Sequence, residues 1–133
     1  MDIRTSYAFE DLDFDIIAPE TQASYWGKGR TREGIITSFE NSFLVGLYLD
    51  DRRMIGWARA TSDTVYLAYI SDLQILPDFR GQGLGKRLTK DLMDHPDLKS
   101  VSGWMLSTDY HHDFYSKFGF ADAEPRRYMS LSR

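Results

Sequence analysis

The chain has 133 residues, of which 42% are hydrophobic and 14% aromatic, and its formal net charge is -4. This length and composition predict a single compact domain over residues 1–133, and the absence of any basic stripe argues against a nucleic-acid partner. Because the sequence contains no cysteine, disulfides, thiolate metal sites and a covalent acyl-cysteine intermediate are excluded.

The amino-terminal segment has no basic patch followed by an apolar core, and no apolar run in the chain approaches the length of a membrane span. We therefore expect a soluble, cytoplasmic protein without a membrane partner. The weak negative charge would suit a cationic substrate through long-range attraction.

The first third of the chain predicts an edge strand and two helices. The strand covers Ile3–Phe9, and a helix over Asp11–Ala18 is interrupted at Pro19, because proline inside a helix removes a hydrogen bond. The segment Ser24–Arg30 reads S-Y-W-G-K-G-R and is predicted to be a loop between helices. Thr31 then caps a second helix that extends to Asn41.

The remainder of the chain predicts three consecutive strands, followed by helices and strands in turn. Two strands, Phe43–Leu49 and Met54–Thr61, form a hairpin through a turn at Asp50–Arg53. The later predicted elements are a long central strand Val65–Leu76, a glycine loop with a helix that stops before His95, a strand Val101–Ser107, a helix Asp109–Phe118 and a closing strand Arg127–Leu131. Strands joined first by hairpins and then by a helical crossover indicate an α/β fold, with a mixed sheet and helices on both faces.

The glycine loop leads directly from the central strand into an amphipathic helix, with glycines at Gly81, Gly83 and Gly85. The first amides of a helix lack internal partners and attract phosphate, and glycine lets the backbone come close to it. The spacing does not fit a Walker loop, which would need glycine at Arg80, or the Rossmann fingerprint G-x-G-x-x-G. The alternative is a glycine-rich turn that only caps the helix.

Two segments resemble those of the GNAT N-acetyltransferases. The strand end Ile75–Pro77, followed by R-G-Q-G-L-G at Arg80–Gly85, resembles the acetyl-CoA loop of that family, R/Q-x-x-G-x-G/A after an aliphatic-x-Pro strand end. The segment Phe114–Phe120, F-Y-S-K-F-G-F, resembles the family's ending F-Y-x-K-x-G-F. Both matches stand in the family's order and at its usual separation, and the resemblance spans residues 43–131.

A finer resemblance concerns a group of small bacterial GNATs of mostly unassigned substrate. The segment Ser24–Arg30 and the T-x-x-x-H-x-x-Y layout of Thr108–Tyr115 are similar to that group. The group tends to carry Asp where this chain has Tyr110, so one contact there differs.

The family resemblance implies a GNAT-type fold and acetyl-CoA as co-substrate, with no metal. The sheet would be mostly antiparallel, with six to seven strands and a central pair of parallel strands that splay apart, the strand Trp104–Thr108 forming one side of the gap. In the family the pantetheine arm pairs with the main chain of the central strand, and the loop amides bind the pyrophosphate. The implied cofactor-binding residues are Leu73, Ile75, Arg80, Gly81, Gln82, Gly83, Leu84, Gly85, Lys86 and Thr108.

Acyl transfer to an amine requires a proton acceptor for the amine and a proton donor for the departing thiolate. The tyrosine of the family's ending faces the thioester sulfur, so the resemblance implies that Tyr115 is the general acid; the alternative is a tyrosine that only packs its ring. Asp72 is a candidate base or orienting residue, because a carboxylate in so apolar a strand is either functional or tied to a partner.

The acceptor is predicted to contact the first loop, although aromatic side chains in such a segment can equally belong to the core. Basic residues there suit an acceptor that carries a carboxylate or phosphate besides its amine. The neighbouring His111 and His112 do not predict a metal site, because adjacent residues on a helix point to different sides. The predicted acceptor contacts are Tyr25, Trp26, Lys28, Arg30 and His112.

Two functions are compatible with these motifs. The first is an N-acetyltransferase that moves an acetyl group from acetyl-CoA to a primary amine by direct transfer in a ternary complex; the second is a CoA- or acyl-CoA-binding module or sensor without efficient transfer. The complete loop together with Tyr115 favours the enzyme, because a pure binder does not need the acid. The sequence does not specify the acceptor or the length of the acyl chain. The short carboxyl-terminal tail, Ser130–Arg133, leaves room for a homodimer.

Overall fold

The computed structural model of the protein describes residues 2–50 and 52–133. These residues form five strands and four α-helices. They are β1 (Ile3–Ser6), α1 (Phe14–Ala23), α2 (Arg32–Glu40), β2 (Phe43–Leu49), β3 (Met54–Ser62), β4 (Leu67–Ile75), α3 (Leu84–Met93), β5 (Gly103–Leu106) and α4 (His112–Ser116), with single 3-10 turns at Phe9–Asp11 and Pro77–Phe79.

One five-stranded sheet, in the order β1-β2-β3-β4-β5, forms the centre of the described chain. Neighbouring strands are antiparallel except β4 and β5, which are parallel and connected through α3. The inner strands β2 and β3 are buried along almost their whole length, which is why they read as continuous apolar runs rather than alternating ones.

Helices cover both faces of the sheet, as predicted. On one face Leu88 and Leu92 of α3 pack against Val45 and other side chains of the sheet. On the other face Ile17 of α1 and Phe39 of α2 pack with a second set of strand residues. Successive strand residues point to opposite faces, so neighbouring positions of β2 contribute to different clusters.

The prediction that Pro19 interrupts the first helix is wrong. The helix α1 runs from Phe14 to Ala23 with Pro19 inside it, and its first turn is capped by Asp13, whose carboxylate accepts from the Asp15 amide at 3.0 Å. Proline removes only one hydrogen bond, and burial of this helix against the sheet outweighs that loss. The Thr31 cap of α2 is confirmed, because its hydroxyl accepts from the Gly34 amide at 3.0 Å.

The predicted closing strand Arg127–Leu131 does not form. Residues 125–127 make a turn, residues 128–133 have no regular structure, and every residue from 121 onward is exposed, so a strand there would have no buried face. The sheet of the described chain therefore has five strands instead of six to seven, and its parallel pair lies at an edge instead of the centre. Of the predicted turn at Asp50–Arg53, residue 51 lies outside the described residues.

A bulge interrupts β4 next to the point where β4 and β5 separate. Trp57 pairs with Gln74 and Arg59 with Ser71, so two residues of β4 oppose one residue of β3. The first bulged residue, Asp72, has φ 57°, a left-handed conformation that aspartate tolerates better than most side chains. Pairing between β4 and β5 ends at Ile70 and Leu106, which leaves a gap beside the bulge.

Candidate active site

Three cavities meet at Tyr115. The aromatic cavity, of about 380 Å³, lies between the α1–α2 loop, β4 and residues 106–111. The glycine-loop cavity, of about 440 Å³, lies between the end of β4, the start of α3 and α4. The tail cavity, of about 490 Å³, lies between β5 and residues 120–128.

The glycine loop presents the unpaired amides of α3 to its cavity. Gly83 caps the helix in a left-handed conformation (φ 78°) without a side-chain hydrogen bond, and no acidic residue stands in the first turn. Gly81 is also left-handed (φ 77°), and a Cβ at either glycine would meet no atom within 4 Å. The amides and the helix dipole therefore face open space that suits an anion.

Basic side chains flank these amides. The Arg80 guanidinium donates through Nε to the carbonyl oxygen of Ile75 at 2.9 Å, which fixes the side chain against the end of β4. Lys86 also lines the glycine-loop cavity. Of the remaining predicted cofactor residues, Gln82 lies outside the lining of all three cavities and Thr108 lines the aromatic and tail cavities.

The edge of β4 that faces the gap carries peptide N–H groups that no neighbouring strand within residues 2–50 and 52–133 pairs with. The Leu76 amide donates to Ile55 in β3 at 2.9 Å, so the peptide N–H of Ile75 points to the opposite edge, and alternation directs that of Leu73 the same way. Because β5 turns away after Leu106, no strand of the described chain pairs with this part of the edge.

Tyr115 is held by ring contacts and by the backbone of α4. Its ring lies 5.0 Å from that of Phe114 and 5.9 Å from that of Phe120. No hydrogen bond to its hydroxyl forms within residues 2–50 and 52–133, and burial raises the pKa of the phenol. The hydroxyl therefore stays protonated at neutral pH, although a raised pKa makes proton transfer from it more uphill than the reference values imply.

Asp72 is clamped between two arginines. Its side chain is 4% exposed; one oxygen accepts from Nη1 of Arg30 at 2.9 Å and the other from Nε of Arg59 at 2.8 Å. Arg59 was not among the predicted site residues. The signal that singled out Asp72, a charge inside an apolar strand, applied equally to Arg59.

The ion pair between Arg30 and Asp72 connects the α1–α2 loop to the sheet. The Arg30 guanidinium lies 5.2 Å from the ring of Trp26, and both residues line the aromatic cavity together with Tyr25. Tyr25 packs edge-to-face on Tyr110 with ring centroids 5.7 Å apart, so the position that differs from the bacterial group is here an aromatic contact. Lys28, by contrast, is exposed and lines none of the three cavities.

The two histidines at the start of α4 face different surroundings. The Nδ1 atom of His112 lies 2.8 Å from an Asp122 oxygen, and this hydrogen bond raises the pKa of the imidazole. His112 lines the tail cavity, whereas His111 lines both the aromatic and the glycine-loop cavities. The layout T-x-x-x-H-x-x-Y pointed to His112 as an acceptor contact, which stays a prediction, and His111 was not among the predicted site residues.

The described residues include no cluster of three or more His, Cys, Asp or Glu side chains that could hold a metal ion. Across residues 2–50 and 52–133, no helix has the length and apolar character needed to cross a membrane.

Comparison with known proteins gives a consistent result. The family model described as an acetyltransferase (GNAT) domain matches residues 16–131. A crystal structure of a Xanthomonas campestris pv. campestris protein assigned to the GNAT family superposes with a TM-score of 0.93 and 27% identity, over 100% of this chain and 94% of that one.

Curated relatives are similar to this chain over part of their length. The chain is 38% identical over 88 residues to "Uncharacterized N-acetyltransferase ycf52" of Gracilaria tenuistipitata var. liui, which is 62% of this chain and 48% of that protein. It is also 38% identical over 76 residues to "GCN5-related N-acetyltransferase 2, chloroplastic" of Arabidopsis thaliana, covering 56% of this chain and 29% of that one. The matched region is thus less than half the length of these relatives.

Proposed function

The chain belongs to the GNAT acetyltransferase family, whose model covers residues 16–131, and from this premise we propose that it transfers an acetyl group from acetyl-CoA to a primary amine. The transfer is direct, within a ternary complex of protein, acetyl-CoA and amine. The observation that carries the proposal is the position of Tyr115, which borders both the glycine-loop cavity and the aromatic cavity. The thioester and the acceptor can then meet at one side chain.

The glycine-loop cavity would hold acetyl-CoA. The amides of Gly81–Lys86 bind the pyrophosphate, with Arg80 and Lys86 adding positive charge. The open edge of β4 at Leu73 and Ile75 pairs with the pantetheine arm as an added strand would. Since the Ile75 carbonyl already accepts from Arg80, the N–H groups on this edge are the groups offered to the ligand.

The aromatic cavity would hold the amine. Its nitrogen attacks the thioester carbon, the C–S bond breaks, and the thiolate takes the phenolic proton of Tyr115. Asp72 acts as an orienting residue rather than the base, because each of its oxygens already accepts a charge-assisted hydrogen bond. It holds Arg30, and with it Trp26, against the cavity.

The test is calorimetric titration of acetyl-CoA and free CoA, followed by thiol release with tyramine, putrescine, glucosamine and lysine as acceptors. We expect binding of both ligands and turnover with at least one amine. The variant Tyr115→Phe should keep acetyl-CoA affinity and lose about 100-fold or more in kcat, the usual contribution of a general acid. Tyr66→Phe, at an exposed tyrosine outside the three cavities, is the matched control.

Failure to bind acetyl-CoA would refute the proposal. Unchanged turnover in Tyr115→Phe would refute only the role of that hydroxyl. Neither the family match nor the relatives support the alternative of a CoA sensor without transfer.

Location and assembly stay predictions. Relatives include a protein named as chloroplastic, so the expected cytoplasmic location has no support from them. The oligomeric state, for which the sequence leaves room for a homodimer, is likewise not shown by the relatives.

A further inference from the structure

The attacking amine must lose a proton, and the aromatic cavity offers few groups that could take it. Asp72 is engaged on both oxygens, and an arginine such as Arg30 does not deprotonate in proteins. Asp109 lines this cavity but not the glycine-loop cavity, so it is not a residue at which acceptor and thioester meet.

Three residues line both the aromatic and the glycine-loop cavities: Leu73, His111 and Tyr115. Leu73 has no titratable group, and Tyr115 has the role of acid. Among the described residues this leaves His111 as the side chain at the junction that can accept a proton.

The backbone places His111 one helical turn before Tyr115. His111 directly precedes α4 as its N-cap, and the Tyr115 amide donates to the carbonyl oxygen of His111 at 3.1 Å. The His111 amide donates to the hydroxyl of Thr108 at 3.1 Å, which fixes the start of the turn. Within residues 2–50 and 52–133 no hydrogen bond or ion pair engages the His111 imidazole, whereas His112 is paired with Asp122.

We propose that His111 is the general base of the transfer, an assignment that rests on the proposed function. Its neutral imidazole takes the proton that the amine loses as the N–C bond forms. The C–S bond then breaks, Tyr115 gives its proton to the thiolate, and the imidazolium returns a proton to the phenolate. The two side chains thus complete one proton cycle without a net change in either.

The experiment compares His111→Ala with Tyr66→Phe, a change at an exposed side chain outside the three cavities. Turnover is measured by thiol release with acetyl-CoA and the most active amine of the tyramine, putrescine, glucosamine and lysine panel. We expect kcat of His111→Ala to fall about 100-fold or more, with acetyl-CoA affinity within about twofold of wild type. Added imidazole should restore turnover saturably above an enzyme-free blank. Tyr66→Phe should stay within a few-fold of wild type and gain nothing from imidazole.

Two results would overturn the assignment: His111→Ala with near wild-type turnover, or a loss that imidazole does not relieve. Either leaves acetyl transfer itself standing, because the wild-type protein turns over in the same assay. Absence of turnover in the wild-type protein on every amine would instead count against the proposed function.

Discussion

Replacing Asp72 by asparagine removes one negative charge from a site where two guanidinium groups share a carboxylate that is 4% exposed. Asparagine tolerates the left-handed backbone at this position, so the bulge is not strained by the change. The Arg59 side chain, 15% exposed, is left buried without its counter-charge. We expect a loss of about 3 kcal/mol in the free energy of unfolding, the lower end of the range for breaking a buried pair.

The matched variant is Arg30→Gln. The Arg30 side chain is 40% exposed, so water solvates it, and its pair with Asp72 should contribute about 1 kcal/mol or less. For a chain of this length, a loss of about 3 kcal/mol corresponds to a fall of roughly 10 °C in Tm. Urea and thermal unfolding followed by circular dichroism measure both variants. The reasoning is refuted if Asp72→Asn unfolds within about 0.5 kcal/mol of wild type, or if Arg30→Gln costs as much.

Two further predictions concern the loop and the tail. In Gly27→Ala the new Cβ would lie 2.1 Å from the backbone oxygen of Thr21, so the α1–α2 loop must shift; urea unfolding should show a loss of roughly 2 kcal/mol, and an unchanged midpoint would contradict this steric account. The Asp122 hydrogen bond raises the pKa of His112 from 6.5, so the pair is fully formed below that pH and is lost as pH rises through the raised value. The pKa of His112, followed by NMR of its ring protons, should therefore fall toward 6.5 in Asp122→Asn, and an unchanged pKa would contradict the pairing.

Local signals accounted for much of the fold. The bounds of β2 followed from a continuous apolar run between turn residues, and the start of α2 followed from the Thr31 cap, because both signals lie within a few residues of the element they define. The helix after the glycine loop was equally clear from its apolar stripe. By contrast, residues 127–131 were predicted to form a strand, and only a neighbouring surface could have shown that nothing covers them.

The candidate site was predictable where motifs are contiguous and not where the fold joins distant residues. The glycine loop was found from one hexapeptide. The clamp on Asp72 joins Arg30, 42 residues away in the sequence, with Arg59 across the bulge, and no local pattern encodes that pairing. Which cavity each of His111 and His112 lines depends on the first residue of α4, and helix ends vary by one or two residues between assignments.

Tyr115 lies on α4, the shortest α-helix among the described residues, and His111 directly precedes that helix. None of the five residues of α4 is fully buried, whereas α3, behind the glycine loop, packs on the sheet through Leu88 and Leu92. A single helical turn does not persist without its packing. On the proposed function, we therefore expect mild warming to abolish transfer by fraying α4 while the sheet and the glycine loop stay folded.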